Sequence, residues 1–175
     1  EPKKLVFVVM PVSGTDPVAP RLVDGGAEAL YQSGLIPDDA LLSELSELDL
    51  SPYRMVVLAM APVLDAAQRQ LLREKVAAAG RHLVLLGYCG WSDGQMMGPQ
   101  VAGAWSGLPV RAHELAAPEH TLSLDGVEEK QALPGPFTVP AFAAGAGQVV
   151  GRWADGEPSA VCRAEPAATW WAFGL

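Results

Sequence analysis

Apolar residues fall in short unbroken runs in the first half of this chain and in broken, turn-separated pieces in the last third. The two textures predict different kinds of sheet. Leu5 to Met10 (LVFVVM), Met55 to Ala59 (MVVLA) and the stretch from His82 to Leu86 (HLVLL) lack polar alternation. Strands of that kind are covered on both faces, as in a parallel sheet. Between the last two runs, Asp65 stands at an N-cap position, Leu71, Leu72, Lys75 and Val76 keep a helical beat, and Gly80 supplies the stop. Strand, crossover helix and strand make one right-handed βαβ unit, whose functional loops lie beyond the carboxyl ends of the strands.

Around that unit the pattern is weaker. Val18 to Gln32 carries Leu22, Val23, Ala27, Leu30 and Tyr31 at helical spacing, interrupted by Gly25 and Gly26 and ended by Ser33-Gly34. Leu35 and Ile36 read as the stub of a second strand, and Leu41 to Leu48 as a short helical piece with Leu41, Leu42, Leu45 and Leu48 on one side. A turn and a short helix around Met97 to Trp105 follow the βαβ unit. Beyond Pro109 the helical beat stops. Val110 to Glu114, Thr121 to Leu124, Phe137 to Val139, Gln148 to Ala154, Ser159 to Arg163 and Thr169 to Phe173 are β-like and separated by turn residues such as Asp125-Gly126 and Asp155-Gly156. The expected architecture is a single three-layer α/β domain over residues 1–175. Its core spans about 1–109, and a β-rich, mainly antiparallel extension spans about 110–175.

Composition narrows the function classes. With 175 residues, half of them apolar and 18% charged, the chain can build a real core. A net charge of −8 with scattered Lys and Arg excludes a nucleic-acid partner. No apolar run approaches the ~20 residues of a membrane helix, so a soluble chain, cytoplasmic or exported, is expected. Because it opens on Glu1 with no Met and no signal-like segment, it is expected to come from a longer polypeptide.

The residue that raises a question of chemistry is Cys89. Gly87-Tyr88-Cys89-Gly90 matches most of a G-x-C-x-G elbow, in which a strand turns sharply into a helix and presents a thiol over the sheet. The following helix N-terminus would offer N–H groups to an oxyanion. A nucleophilic cysteine needs a base. His82 begins the strand that leads to Cys89 and is ~20 Å away along it. His113 (beside Glu114) and His120 (beside Glu119) remain as candidates. The bland alternative is a small buried cysteine at a strand end. Cys89 and Cys162 form no CxxC pair, and no histidine has metal-ligand spacing, so neither metal nor disulfide is expected. No phosphate- or dinucleotide-binding loop follows a strand, so no cofactor is expected. Asp16, Asp38 and Asp39 sit in cap-like loop contexts. The five tryptophans, Trp91, Trp105, Trp153, Trp170 and Trp171, serve either packing or an exposed aromatic surface for subunit or sugar contact. A small-molecule or sugar site would use the loops bearing Ser13, Thr15 and Asp16 and Trp91 and Asp93.

Three stretches resemble a known family. Leu48 to Ala59 (LDLSPYRMVVLA), Val63 to Leu86 and Gln148 to Val161 (QVVGRWADGEPSAV) are similar to strand–helix–strand and late-strand motifs of the class I glutamine amidotransferase-like fold. More specifically, they resemble the beta-galactosidase trimerisation domain of family 42 glycoside hydrolases. The resemblance implies a flavodoxin-like sheet used for subunit assembly beside a catalytic barrel. In true amidotransferases the elbow cysteine pairs with a late His-x-Glu; here no histidine follows His120. The expected role is therefore a non-catalytic assembly or accessory domain whose partners are other subunits or domains of its parent protein. The alternatives are a thiol-dependent hydrolase or amidotransferase using Cys89 with His113 or His120, and a carbohydrate- or small-molecule-binding module.

Overall fold

Parallel pairing organises the first half of the chain. The computed structural model describes residues 4–9, 28, 31–34, 36–59, 61–115, 119–124, 127–132, 137–164 and 169–173. In chain order the elements are β1 (Lys4–Val9), β2 (Pro37–Leu41), β3 (Tyr53–Ala59), α1 (Ala66–Leu71), β4 (His82–Leu86) and α2 (Pro99–Ser106). They continue with β5 (Val110–Leu115), β6 (Glu119–Leu124), β7 (Val127–Ala132), β8 (Phe137–Phe142), β9 (Gln148–Arg152), β10 (Pro158–Ala164) and β11 (Thr169–Phe173). Nine strands form one sheet in the order β2-β1-β3-β4-β11-β10-β9-β6-β7, and β5 with β8 forms a separate antiparallel ribbon. The pairings from β2 across to β11 are parallel, and those from β11 across to β7 are antiparallel.

The central strands are apolar because both of their faces are covered. On β3, Val56, Val57, Leu58 and Ala59 are all buried, although alternate side chains point to opposite faces. Val56 and Leu58 join the larger core with Leu72, Val76, Leu83, Leu85 and Trp105, whereas Val57 packs with Val84, Met55 and Leu86 in a second cluster. A strand of β-branched and leucine residues satisfies both clusters, and a strict polar alternation could not.

α1 starts where the pattern puts it. Asp65 accepts a hydrogen bond from the Gln68 N–H at 2.8 Å, and the Gln68 side chain accepts the Asp65 N–H at 3.0 Å, a reciprocal cap. The helix then widens to π geometry over Leu72–Ala77, with the Ala78 N–H on Arg73 O at 2.7 Å and the Arg81 N–H on Val76 O at 3.0 Å. Leu72 and Val76 stay fully buried through the widening. Gly80, at φ +73°, ends it.

Loops that have few ladder bonds of their own are fastened by cations. Lys75 Nζ donates to Ser46 O at 2.7 Å and lies within 3.5 Å of the Leu45 and Leu48 carbonyls. Arg81 donates to Leu50 O, Tyr53 O and Lys75 O at 2.8–3.1 Å. Arg163 of β10 donates to Ser106 O and Gly107 O, the open carbonyls at the end of α2. Charge-assisted bonds of this kind are about twice as strong as neutral ones.

Two expectations need correction, and two strands add to the expected pattern. The second strand runs over Pro37–Leu41, past Ile36 of the expected stub (Leu35 lies outside the described residues), so Asp38 and Asp39 lie in a strand and not in a loop. Pairing with β1 overrides the poor strand propensity of PDDAL. The piece from Leu41 is the end of that strand followed by a single 3₁₀ turn, Leu42–Glu44; of its leucines Leu42 and Leu45 are buried and Leu41 is exposed. β7 (VEEKQA) has no apolar pattern and forms only as the antiparallel partner of β6. The last strand, β11, joins the two parts of the sheet: it pairs antiparallel with β10, Trp171 opposite Cys162, and parallel with β4, Trp171 opposite Val84. Of the helix expected over Val18 to Gln32, Glu28, Tyr31 and Gln32 are helical, and the loop Pro11 to Pro17 lies outside the described residues. Among the described residues no helix is long and apolar enough to cross a membrane.

Because Leu58 is fully buried on a strand packed from both sides, Leu58→Ala is expected to lower unfolding free energy by about 2–5 kcal/mol. Val63→Ala, at an exposed position, should stay within about 0.5 kcal/mol. Urea titrations of the two variants beside the parent chain measure the difference.

Candidate functional site

The carboxyl ends of β3 and β4 carry two loops that are tied to each other. Leu64 N–H donates to Ser92 O at 3.0 Å, Ser92 N–H to Pro62 O at 2.8 Å, and Gly90 N–H to Ala61 O at 2.8 Å. Ser92 also bridges to Met97, so that three segments of the chain meet at Val63, Ser92 and Met97. Asp93 shapes the turn within it, its Oδ1 accepting the Met96 and Gln95 N–H groups at 2.7 and 2.8 Å. Those two bonds hold the exposed Asp93 carboxyl below its ordinary value. Trp91 is half-buried, with its ring edge-to-face on Tyr88 at 4.8 Å. Tyr88 in turn donates its hydroxyl to Thr138 O, and burial raises that phenol.

Cys89 points inward. It is 5% exposed and belongs to the main core. Its Sγ lies 3.2 Å from Leu86 O and 3.3 Å from Leu58 O. That geometry suits a protonated thiol, since a thiolate has no hydrogen to donate and would face two carbonyl oxygens. The adjoining void, about 20 Å³, is walled by Leu85, Trp91, Ala102, Ser106, Leu108, Val110, Pro140 and Phe142 along with Gly87, and none of these can act as a base.

The elbow itself differs from the expected one. No helix follows Cys89; the chain runs through the loop to α2, which begins at Pro99. The Gly90 N–H, the first candidate oxyanion donor, is already bonded to Ala61 O. Glycine is required at Gly90 for a packing reason. Its φ is +67°, and a Cβ there would stand 1.9 Å from Trp105 Nε1. The small residues that made Cys89 look like a strained nucleophile make room for a buried indole.

The candidate bases are elsewhere. His113, on β5, bonds Asp155 Oδ2 through Nε2 at 2.6 Å, and Arg111 two residues earlier pairs with Glu157. The two side-chain contacts pin the ribbon to the turn between β9 and β10. His120 lies on β6, facing Gln131 of β7. Its strand is four strand spacings from β4, about 19 Å. The structure brings neither histidine onto the Cys89 sulfur. Of the proposed binding residues, Trp91 and Asp93 sit in the described loop, and Ser13, Thr15 and Asp16 lie outside the described residues. Trp105 and Trp153 are buried, and Trp170 and Trp171 are on the inserted strand β11. Among the described residues no group of three or more His, Cys, Asp or Glu side chains could hold a metal. Burial raises the Cys162 thiol above its ordinary value of 9.0.

From the sequence, Asp93-Gly94 with Met96 and Met97 reads as a turn plus core or interface, and the structure makes the methionines part of an exposed apolar lip on this end of the sheet. Met96 is 61% exposed, Met97 76% and Val63 38%. Two adjacent methionines beside a glycine turn were the available signal, but methionine is as common in cores as at interfaces. Only the structure shows that they face outward.

Comparison with known proteins gives a likeness of fold. No protein-family model and no curated protein matches the chain. Solved structures do. A catalytic mutant of Gan42B, a GH42 beta-galactosidase from G. stearothermophilus, aligns with a TM-score of 0.72 at 15% identity, over 99% of this chain and 27% of that one. A beta-galactosidase from the Antarctic haloarchaeon Halorubrum lacusprofundi aligns at 0.70 and 15% identity, over 98% and 27%. An exo-beta-1,4-mannosidase from Opitutaceae bacterium strain TAV5 aligns at 0.68 and 10% identity, over 98% and 31%. This chain has the fold of a segment of these larger glycoside hydrolases and spans a little over a quarter of their length.

Two measurements follow from the site. With Cys162→Ser as background, iodoacetamide at neutral pH should modify Cys89 only as fast as the protein unfolds, and rapid labelling of the native chain would contradict the inward thiol. The second concerns Asp155. Partial burial pushes its carboxyl up, but the Glu157 N–H and then the His113 contact outweigh that and leave it below the ordinary 3.8. A depressed carboxylate stabilises the fold above pH 3.8 and loses that contribution as pH falls through its folded value. The stability of Asp155→Asn should therefore depend less on pH below 3.8 than that of the parent, by at most about 1 kcal/mol for so exposed a pair.

Proposed function

We propose that this chain is a non-catalytic assembly or accessory domain of a larger glycoside hydrolase, the counterpart of the trimerisation domain of the family 42 enzymes. The observation that carries the reading is coverage: nearly all of this chain aligns with a segment that makes up 27–31% of the galactosidase and mannosidase chains. The inward thiol and the engagement of His113 with Asp155 support it, because they leave the elbow without the parts of an acyl-transfer site. Part of the proposal is the fold class. The parallel strands β2-β1-β3-β4-β11 follow the flavodoxin-like 2-1-3-4-5 order, and we read them as the core of a class I glutamine amidotransferase-like three-layer sheet, with β10-β9-β6-β7 added at one side.

The contact surface we assign to assembly is the lip of Val63, Met96 and Met97 at the carboxyl ends of β3 and β4. Its occupant is a neighbouring subunit of the parent enzyme, presented here by another copy of the chain. Burying one methionine side chain contributes about 1.5–3 kcal/mol, so the pair supplies a centre for such an interface.

Sedimentation velocity over a concentration series is expected to show self-association that Met97→Glu weakens at least about tenfold. A parent chain that stays monomeric throughout, or a Met97→Glu variant that associates equally well, counts against the lip as the assembly surface.

A further inference from the structure

Behind the lip, α1 and the turn at Asp93 enclose an open cleft of about 710 Å³, within the ~300–1,000 Å³ typical of small-molecule sites. Its helix wall carries Arg69 and Arg73, four residues apart on one helical stripe, with Glu74 beside them. The opposite wall is Asp93 and Gln95, and Trp105 closes the floor.

Each guanidinium spends one Nη on a backbone carbonyl, Arg69 on Ser92 O at 3.0 Å and Arg73 on Trp105 O. Those bonds hold the planar forks in place and leave donors over. Arg69 Nε is buried and, among the described residues, has no hydrogen-bond partner. Across the cleft Asp93 uses Oδ1 for its own turn, which leaves Oδ2 as an acceptor. The helix wall thus offers guanidinium donors with the Glu74 carboxylate beside them, and the turn offers the Asp93 acceptor and the Gln95 amide, which both donates and accepts.

Charge selects the ligand class. Two guanidiniums and two carboxylates, Glu74 on the helix wall and Asp93 on the turn, leave the lining balanced in charge, within a chain of net charge −8. A small anion would meet Glu74 and Asp93, and a cation would meet both arginines. A hydroxyl both donates and accepts, so adjacent hydroxyls on a neutral ring can bridge an arginine on one wall and a carboxylate on the other. We propose that this cleft binds a neutral polyhydroxylated ligand of mono- or disaccharide size, held between Arg69 of α1 and Arg73 of the π-helical turns that continue it and Asp93 and Gln95 on the facing turn. The site belongs to one copy of the chain and does not depend on the assembly reading.

Titration of the full chain with lactose and with myo-inositol, followed by nitrogen–proton NMR, tests it. Saturable shifts are expected in the Arg69 and Arg73 side-chain N–H signals and in the Trp105 indole signal. Asp93→Asn, which keeps the turn acceptor but loses the charge, and Gln95→Ala should each weaken binding about fivefold or more while the rest of the spectrum stays in place. Three results overturn the proposal: no saturable shift with either polyol, equal binding by both variants, or citrate saturating the same signals in preference to the polyols.

Discussion

Burial of β3 from both sides is the constraint on which the other features of this protein depend. Four consecutive residues, Val56 to Ala59, lie at 5% exposure or less, and a single strand can be that dry only if cover arrives on each face. β1 and β4 flank it in parallel register, and parallel strands cannot be joined by a tight turn. The chain must therefore leave the sheet after β3, cross through α1 and return as β4. That crossover places the Ala61–Asp65 and Gly87–Gly98 loops side by side at one end, where Cys89 and the lip of Val63, Met96 and Met97 are found.

Loops in that position need main-chain partners, and cations provide many of them. Lys75, Arg81, Arg69, Arg73 and Arg163 all donate to backbone carbonyls in segments outside the ladders. Their long aliphatic stems cover apolar surface while their heads serve the carbonyls. An acidic chain with few cations thus uses a large share of them internally. The arrangement also keeps the cleft behind the lip open, because Arg69 and Arg73 are fixed by what they hold rather than collapsed on one another.

The elbow at Cys89 shows how a motif can be right in place and wrong in purpose. The residue does sit just past the carboxyl end of a central parallel strand. What reverses its meaning is the neighbour. Trp105 of α2 fills the space over Gly90, and the sulfur turns to the Leu58 and Leu86 carbonyls inside. Catalytic chemistry needs an exposed, paired nucleophile, and packing of a remote helix decides whether the thiol is one. His113 is similar: its neighbour in sequence is Glu114, yet its partner in space is Asp155.

What was legible in the sequence was local. The dry runs of β3 and β4, the Asp65 cap with Gln68 and the Gly80 stop each follow from residues within a turn or two of each other, because periodicity and capping act over that range. Edge and inserted strands were not legible in the same way. PDDAL becomes β2 only because β1 offers it a ladder, VEEKQA becomes β7 only against β6, and TWWAF is parallel only because it docks beside β4, more than eighty residues earlier. Exposure of Met96 and Met97, the inward turn of Cys89 and the placing of Arg69 and Asp93 on one cleft were likewise settled by tertiary structure. Hydrogen-bond pairing and side-chain burial between distant segments carry no signature in either segment alone.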